Sequence, residues 1–342
     1  MSLIELMVVL LLSSILLIAV VSFFVAQKTT YQSTSSVAQI QENGRIAAEI
    51  IAQDIRMAGF HGCSGSSGLD KYPAVVSGQQ PDSLQQAAIS GYETGTAGWS
   101  NGLHDALIDV EAEVRPGSDV LMLQYMDSAS VAVEAHGVVS ESLTVGLANE
   151  LGLVADDLIV VSNCRESDVL QVTAMNASSS LELSYTGSEN EAISGHYSAD
   201  SVIAKLVARI YYIKDTDREH SDGSPVYGLF VKDISNAAVA TSELLADIEY
   251  LQLLYGVPKA AGLEFIKASD VTDFSDVRSI NISLLASSNK PVRDDNDTQD
   301  YVLLDETITD DGAGSTLSYD SNRLLRRVFT DSVVIRNRVE DL

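Results

Sequence analysis

The sequence predicts an α+β protein in which one long N-terminal α-helix packs on an antiparallel β-sheet head. Three observations carry this. Residues 6–26 are apolar and carry no charge. Apolar residues then recur at three- and four-residue steps to about residue 58, the signature of one buried helix face. Beyond residue 118, short apolar runs are bounded by Gly, Asp, Asn and Ser with no long helical pattern between them, which predicts antiparallel strands.

The first element is a membrane segment. Residues 6–26 suffice to cross a bilayer at about 1.5 Å per residue. A cleaved secretory signal would need a basic segment before the apolar run and a small-residue cleavage site, whereas the first base here is Lys28 and the helical pattern runs straight on. Glu5 stands at the head of this segment. A carboxylate at mid-bilayer costs roughly 2.5–3.5 kcal/mol, so it calls for a partner. The candidate is an α-amino group, the chain's own or that of a neighbouring copy, which points to assembly rather than catalysis.

The second element continues the same helix. Val37, Ile40, Gly44, Ala47, Ile51, Ile55 and Ala58 form the apolar stripe, and Gln41, Glu42, Arg45, Glu49, Gln53, Asp54 and Arg56 fill the other positions. Gly59 and Gly62 end it. A helix from residue 1 to 58 would be about 85 Å long. The chain thus divides into a membrane segment, 1–26, an amphipathic continuation, 27–58, and a β-rich head, 59–342. Residues 64–117, rich in Gly, Ser and Gln, read as a variable loop region holding the single tryptophan, Trp99. Strands are expected at 119–125, 131–135, 158–161, 169–174, 181–185, 204–213, 226–231, 248–255, 277–285 and 325–335. Short helices or turns are expected at 150–153 and 241–246.

Charge and motifs exclude several functions. Residues 1–60 carry Lys28, Arg45 and Arg56 against Glu5, Glu42, Glu49 and Asp54, so nearly all of the formal charge of −27 lies on the head. Such a surface repels nucleic acid and anionic lipid. Five dispersed histidines, no G-x-S-x-G, no Walker lysine and no H-E-x-x-H leave no enzyme signature. No cofactor is expected. Calcium would draw on Asp215, Asp217 and Asp222, or on Asp294 and Asn296, but neither loop matches the EF-hand spacing. Solvated acidic turns are the default there. Cys63 and Cys164 lack zinc spacing, and their simple reading outside the inner membrane is one disulfide. Closing a loop of that length stabilises by up to about 4.7 kcal/mol in the chain-entropy model.

Ser-Leu-Ile-Glu-Leu-Met-Val-Val-Leu-Leu at residues 2–11 resembles the start of a mature type IV pilin, although Met1 stands where Phe is usual. Gln41-Glu42-Asn43-Gly44-Arg45, the stretch 54–63, residues 248–257, Leu324-Leu325-Arg326-Arg327-Val328-Phe329-Thr330 and Ile335-Arg336-Asn337-Arg338 resemble the PilW minor-pilin family. The resemblance implies a removed leader, a methylated Met1, and Glu5 paired with the terminal amine of an adjacent subunit. The implied partners are other pilin subunits, a prepilin peptidase, an inner-membrane assembly platform and a tip adhesin. The implied location is the inner membrane, N-terminus cytoplasmic and head periplasmic, before assembly into an extracellular pilus for adhesion or motility. Within the class, the main repeating pilin of a large-headed filament and a minor pseudopilin of type II secretion are alternatives. Outside it, the alternative is a membrane-tethered adhesin. The alternating arginines near Phe329 read as internally paired, whereas Arg336 and Arg338, past the last apolar position, read as a subunit contact.

Overall fold

The computed structural model describes residues 3–62, 88–95, 98–99, 110, 113–137, 142–146, 150–165, 167–177, 181–186, 197–235, 240–260, 262–310 and 317–341. It opens with a single helix, α1 (Leu3–Met57), of 55 residues and about 82 Å. Residues 3–43 contain neither Gly nor Pro, so nothing in the local chemistry interrupts it. It ends where Gly59 adopts a left-handed φ of 73°, a conformation that stops a helix at little cost only in glycine.

The strands follow as β1 (Ile89–Tyr92), β2 (Thr94–Gly95), β3 (Gly98–Trp99), β4 (Val120–Gly137), β5 (Ser142–Val145), β6 (Leu158–Ser162), β7 (Ser167–Ala177), β8 (Leu181–Thr186) and β9 (Val202–Glu219). Next come β10 (Pro225–Asp233), β11 (Ala240–Ala246), β12 (Ile248–Lys259), β13 (Gly262–Ile266), β14 (Ser279–Ser287), β15 (Tyr301–Leu303), β16 (Glu306–Asp310), β17 (Ser318–Tyr319) and β18 (Arg326–Val334). A long helix packed on antiparallel sheets makes the protein α+β.

Two differences from the sequence reading have plain causes. The expected strands 119–125 and 131–135 are one strand, β4, whose register shifts between Met126 and Ser130. The polar run Asp127–Ser130 breaks the alternation without breaking the strand, because the Asp127 carboxylate accepts the Ala129 amide and holds a bulge. Residues 241–246 are not a helix or turn: they lie in β11, paired with β10 from Ala240 to Ala246 around a bulge at Leu244. Cross-strand hydrogen bonding outweighs a weak local preference there.

Two large sheets make the head. The four-stranded one runs β13-β12-β14-β18, antiparallel throughout. The nine-stranded one runs β1-β4-β5-β8-β7-β6-β9-β10-β11, and β4 also pairs with β9. The pairings β4–β5–β8–β7–β6–β9–β4 therefore return on themselves as a six-strand ring. The ring closes on its own core of Val133, Leu143, Val145, Ile159, Val161, Leu170, Val172 and Ile203. A separate core lies between α1, the four-stranded sheet and the front of β4 and β9, built on Ile40, Ile51 and Ile55 of the helix with Leu121, Ile213, Leu253, Ile282 and Val333. Each such helix side chain contributes about 1.5–3 kcal/mol on burial.

Candidate assembly interface

The two halves of α1 have opposite surroundings. From Leu3 to Val25 every residue is exposed, including Leu10, Leu16, Phe23 and Phe24 at 60–68 %. Ser36 is the first buried residue of the helix. Ser13, Ser14 and Ser22 donate their hydroxyls to the carbonyls of Leu10, Leu11 and Ala19, so these three hydroxyls are satisfied within the helix. Such a surface suits a bilayer or a bundle of like helices and is unfavourable in water. The helix is long and apolar enough to cross a membrane. Glu5 lies in its first turn, where a negative charge also complements the helix dipole.

The second half is held to the head by specific polar contacts as well as by packing. Asp54, buried in the helix–sheet interface, accepts from Tyr125 Oη at 2.8 Å, Tyr211 Oη at 2.5 Å and Arg209 Nη1 at 2.8 Å. One carboxylate thereby gathers three donors from β4 and β9. Burial and then the neighbouring Asp54 charge push both phenols above their usual range. Sequence reasoning placed Asp54 on the solvent side of the helix. Its local signal is that of any polar position, and only the two facing strands supply its partners.

Three further ties secure the end of the helix. The Gly59 amide donates to the Gln124 carbonyl, and the Met126 amide donates to the Phe60 carbonyl, so the chain leaving α1 pairs briefly with β4. Ser162 Oγ donates to the His61 carbonyl at 2.5 Å, joining this exit to β6 of the ring. Asn337 donates its amide to the carbonyls of Met57 and Ala58 at 3.3 and 3.1 Å, capping carbonyls that the helix leaves without intrahelical partners. Burial, then the Arg338 charge, lower the His61 pKa to about 4, so this imidazole is neutral.

The sequence motifs meet across this interface. Asn43 donates to the Ala246 carbonyl at the end of β11. Gly44 lies under Phe329 of β18: a Cβ there would stand 2.3 Å from the ring. Arg326 donates through Nε to both oxygens of Glu249 at 3.0 Å and through Nη1 to Asp297 at 3.3 Å, all three buried. Burial opposes the charge of Glu249, but Arg326 and then Arg115 hold its carboxyl below the usual range. Arg115 lies between the rings of Tyr227 and Tyr250, at 3.7 and 4.0 Å from their centroids, and donates to the Glu249 carbonyl.

Other residues singled out from sequence fall in different places. Met1 and Cys63 lie outside the described residues, as does most of the loop region 64–117. Cys164, exposed just past β6, is disulfide-bonded. Arg336 is exposed, but Arg338 is not available to a neighbour. It is buried, and its guanidinium donates to the carbonyls of Phe274 and Val277 at 2.6 and 3.2 Å, because the chain after β18 folds back beneath the helix end. The calcium candidates shape their own turns. Asp215 accepts the Asp217 amide, Asp222 accepts the amide and hydroxyl of Ser224, and Asn296 donates to the Ser321 carbonyl, while Asp294 is exposed. Among the described residues no group of three His, Cys, Asp or Glu side chains is placed to hold a metal ion.

Comparison with known proteins gives one match. Residues 210–337 match the family model of the type IV pilus-assembly protein W, PilW. No curated protein and no solved structure matches the chain. The matched range runs from β9 to the Asn337 cap and includes the whole four-stranded sheet that receives α1, whereas most of the ring precedes it. Behind its long N-terminal apolar helix the chain thus carries, over residues 210–337, a domain that matches the PilW family of type IV pilus-assembly proteins, which supports a role in pilus assembly.

Proposed function

We propose that the chain is a minor pilin, a structural subunit that takes part in initiating the pilus and sits near its tip. The single observation that carries this reading is the division of α1: its first half is apolar and unsupported by the head, while its second half is clamped to it. Such a molecule stores the apolar half in the inner membrane, with the head periplasmic. On assembly, those residues bury themselves among the helices of neighbouring subunits. Glu5 sets the register. In a dry helix bundle its carboxylate is tolerated beside a cation, and the terminal amine of the adjacent subunit supplies one, so a slipped register is penalised. The PilW match supports partners within the pilus machinery, and we extend these to other pilins, the prepilin peptidase and the assembly platform. We further propose that Cys63 pairs with Cys164. The adjacent residues support this, since His61 and Ser162 are already hydrogen-bonded across the same junction.

The test is incorporation. Glu5→Ala is expected to leave the head folded and the protein in the membrane while lowering its recovery in sheared filaments at least tenfold. Wild-type recovery of the variant would refute the register role. Mass spectrometry of the same filaments is expected to find a methylated Met1 in a subunit far less abundant than the main pilin. Abundance equal to the main pilin would overturn the minor-subunit reading.

A further inference from the structure

The four-stranded sheet has two faces, and α1 occupies one of them. Ile280, Ile282, Leu284 and Val333 point to the helix and share its core. Strand alternation puts their neighbours on the opposite face, where Phe265, Gly256, Ser279 and Val334 stand in one cross-strand row. Leu254, Asn281 and Ser332 make the next row, and the Leu263–Pro258 pair lies on the other side of the first. Further along this face Tyr250 and Leu285 are covered by Tyr301, Leu303, Ile308 and Tyr319 of β15–β17. The two rows and the pair are not: Leu263, Phe265 and Val334 are left 38, 38 and 49 % exposed, and Ser332 is exposed. We propose that this uncovered part of the face docks the head of a neighbouring pilus subunit of different sequence, an inference that rests on the pilus reading.

Charge selects the place. The chain carries a formal −27, yet the two rows and the Leu263–Pro258 pair contain no ionisable side chain. Lys267, at the corner beside Leu254, is paired with Asp305 and Glu306. Acidic surfaces repel one another, so a neighbour approaches most easily over an uncharged patch, and a less acidic chain does so more easily than a second copy. Unpaired polar atoms point to the same place. Ser279 Oγ and Asn281 Oδ1, two residues apart on β14, are shut off from water and have no hydrogen-bond partner. Leaving such an atom unpaired costs about 1–3 kcal/mol, and native structures rarely do so without a reason. The half-buried Asn281 amide turns about a soft terminal torsion, which brings its oxygen round to a partner's donor. Beside it the Phe265 ring leans over Gly256, where a Cβ would stand 3.1 Å from the ring and 2.4 Å from Ser279 Oγ. The result is a shallow seat between Phe265 and Val334.

Size says how the neighbour is held. Four strands about 4.8 Å apart and three rows about 6.8 Å apart span roughly 14 by 14 Å, or about 200 Å². A stable interface takes about 800 Å² from each partner. The patch therefore suits a head already held alongside through its own helix, because tethering in one membrane or bundle gives an effective concentration of about millimolar.

Photo-crosslinking in intact piliated cells tests the surface, with p-benzoylphenylalanine placed at Val334 or at Phe265 of the full chain. The expected product is an adduct with a different pilus subunit. An adduct only within the chain, an adduct only with a second copy, or none at all would overturn the proposal. A charge test follows on sheared filaments. Ser332→Asp combined with Val334→Asp sets two carboxylates on the patch at exposed positions and is expected to leave the thermal midpoint in detergent within about 2 °C. Recovery in filaments should fall at least tenfold, whereas Val154→Asp, on an exposed apolar residue of the ring, should leave it within twofold. Undiminished recovery of the double variant, or an equal loss from Val154→Asp, would overturn the surface; should the double variant unfold, the crosslink decides. Absence of the wild-type chain from sheared filaments would sink the subunit reading instead, and crosslinking in cells would still read the surface.

Discussion

Replacing Asp54 by alanine tests whether polar contacts, beyond apolar packing, hold the helix to the head. The substitution strands Tyr125 Oη and Tyr211 Oη in an interface that excludes water and removes the partner of Arg209. Each buried hydrogen bond to a charged group is worth roughly 1.5–3 kcal/mol. The Arg209 side chain is 35 % exposed, so its share falls toward the surface value, under about 1 kcal/mol. Together these predict a loss of about 3–7 kcal/mol, a range that overlaps the roughly 3–5 kcal/mol for breaking a buried pair by removing one member. Against a total stability of roughly 5–15 kcal/mol, that is a large fraction. Thermal unfolding of the full chain in detergent should show a midpoint lowered by about 10 °C. Asp54→Asn keeps an acceptor without the charge and should cost about half as much in the same melt. A loss below about 1 kcal/mol for Asp54→Ala would refute the clamp and leave packing alone to hold the helix.

Gly44→Ala sets two effects of opposite sign against each other. Alanine favours a helix interior by about 1 kcal/mol, but the new Cβ would stand 2.3 Å from the Phe329 ring, and overpacking costs about 1–3 kcal/mol. Net destabilisation is expected in urea unfolding, with recovery when Phe329→Leu is added; a stabilised single variant would contradict the close approach. His61 makes stability depend on pH. Its folded pKa of about 4 lies below the ordinary imidazole value of 6.5, so the folded state binds fewer protons, and stability falls as pH drops through that window. The loss is about 3 kcal/mol at the acid end, and His61→Gln should flatten that limb of a pH series of unfolding midpoints.

What was legible in the sequence was what is written locally. Of the stripe, Ile40, Gly44, Ala47, Ile51, Ile55 and Ala58 are buried and Val37 is half-buried, because side chains three and four apart share one face of any helix. The Gly59 stop lies where a positive φ is needed. Most long strands stood out by their apolar runs. The short ones did not: β1, β5, β13 and β15–β17 have two to five residues each, too few for a period to show. Of the site, Glu5 stood out as an acid in an apolar run, and Gly44 and Arg326 as motif residues without assigned contacts.

The sequence alone determined the long helix, its apolar and amphipathic halves and its stop. These follow from hydrophobic period and backbone preference, which act within a few turns of the chain. Only the tertiary structure decided which polar residues became partners. Asp54 meets Tyr125 and Tyr211 across 71 and 157 residues of chain, and Arg326 meets Glu249 across 77. Arg338 turned inward, against the sequence reading, for the same reason: the chain folds back on the helix end and offers it two carbonyls. The six-strand ring is likewise a property of pairing. No strand in it carries a local sign of closure, since closure is set by which edges find each other once the whole chain has collapsed.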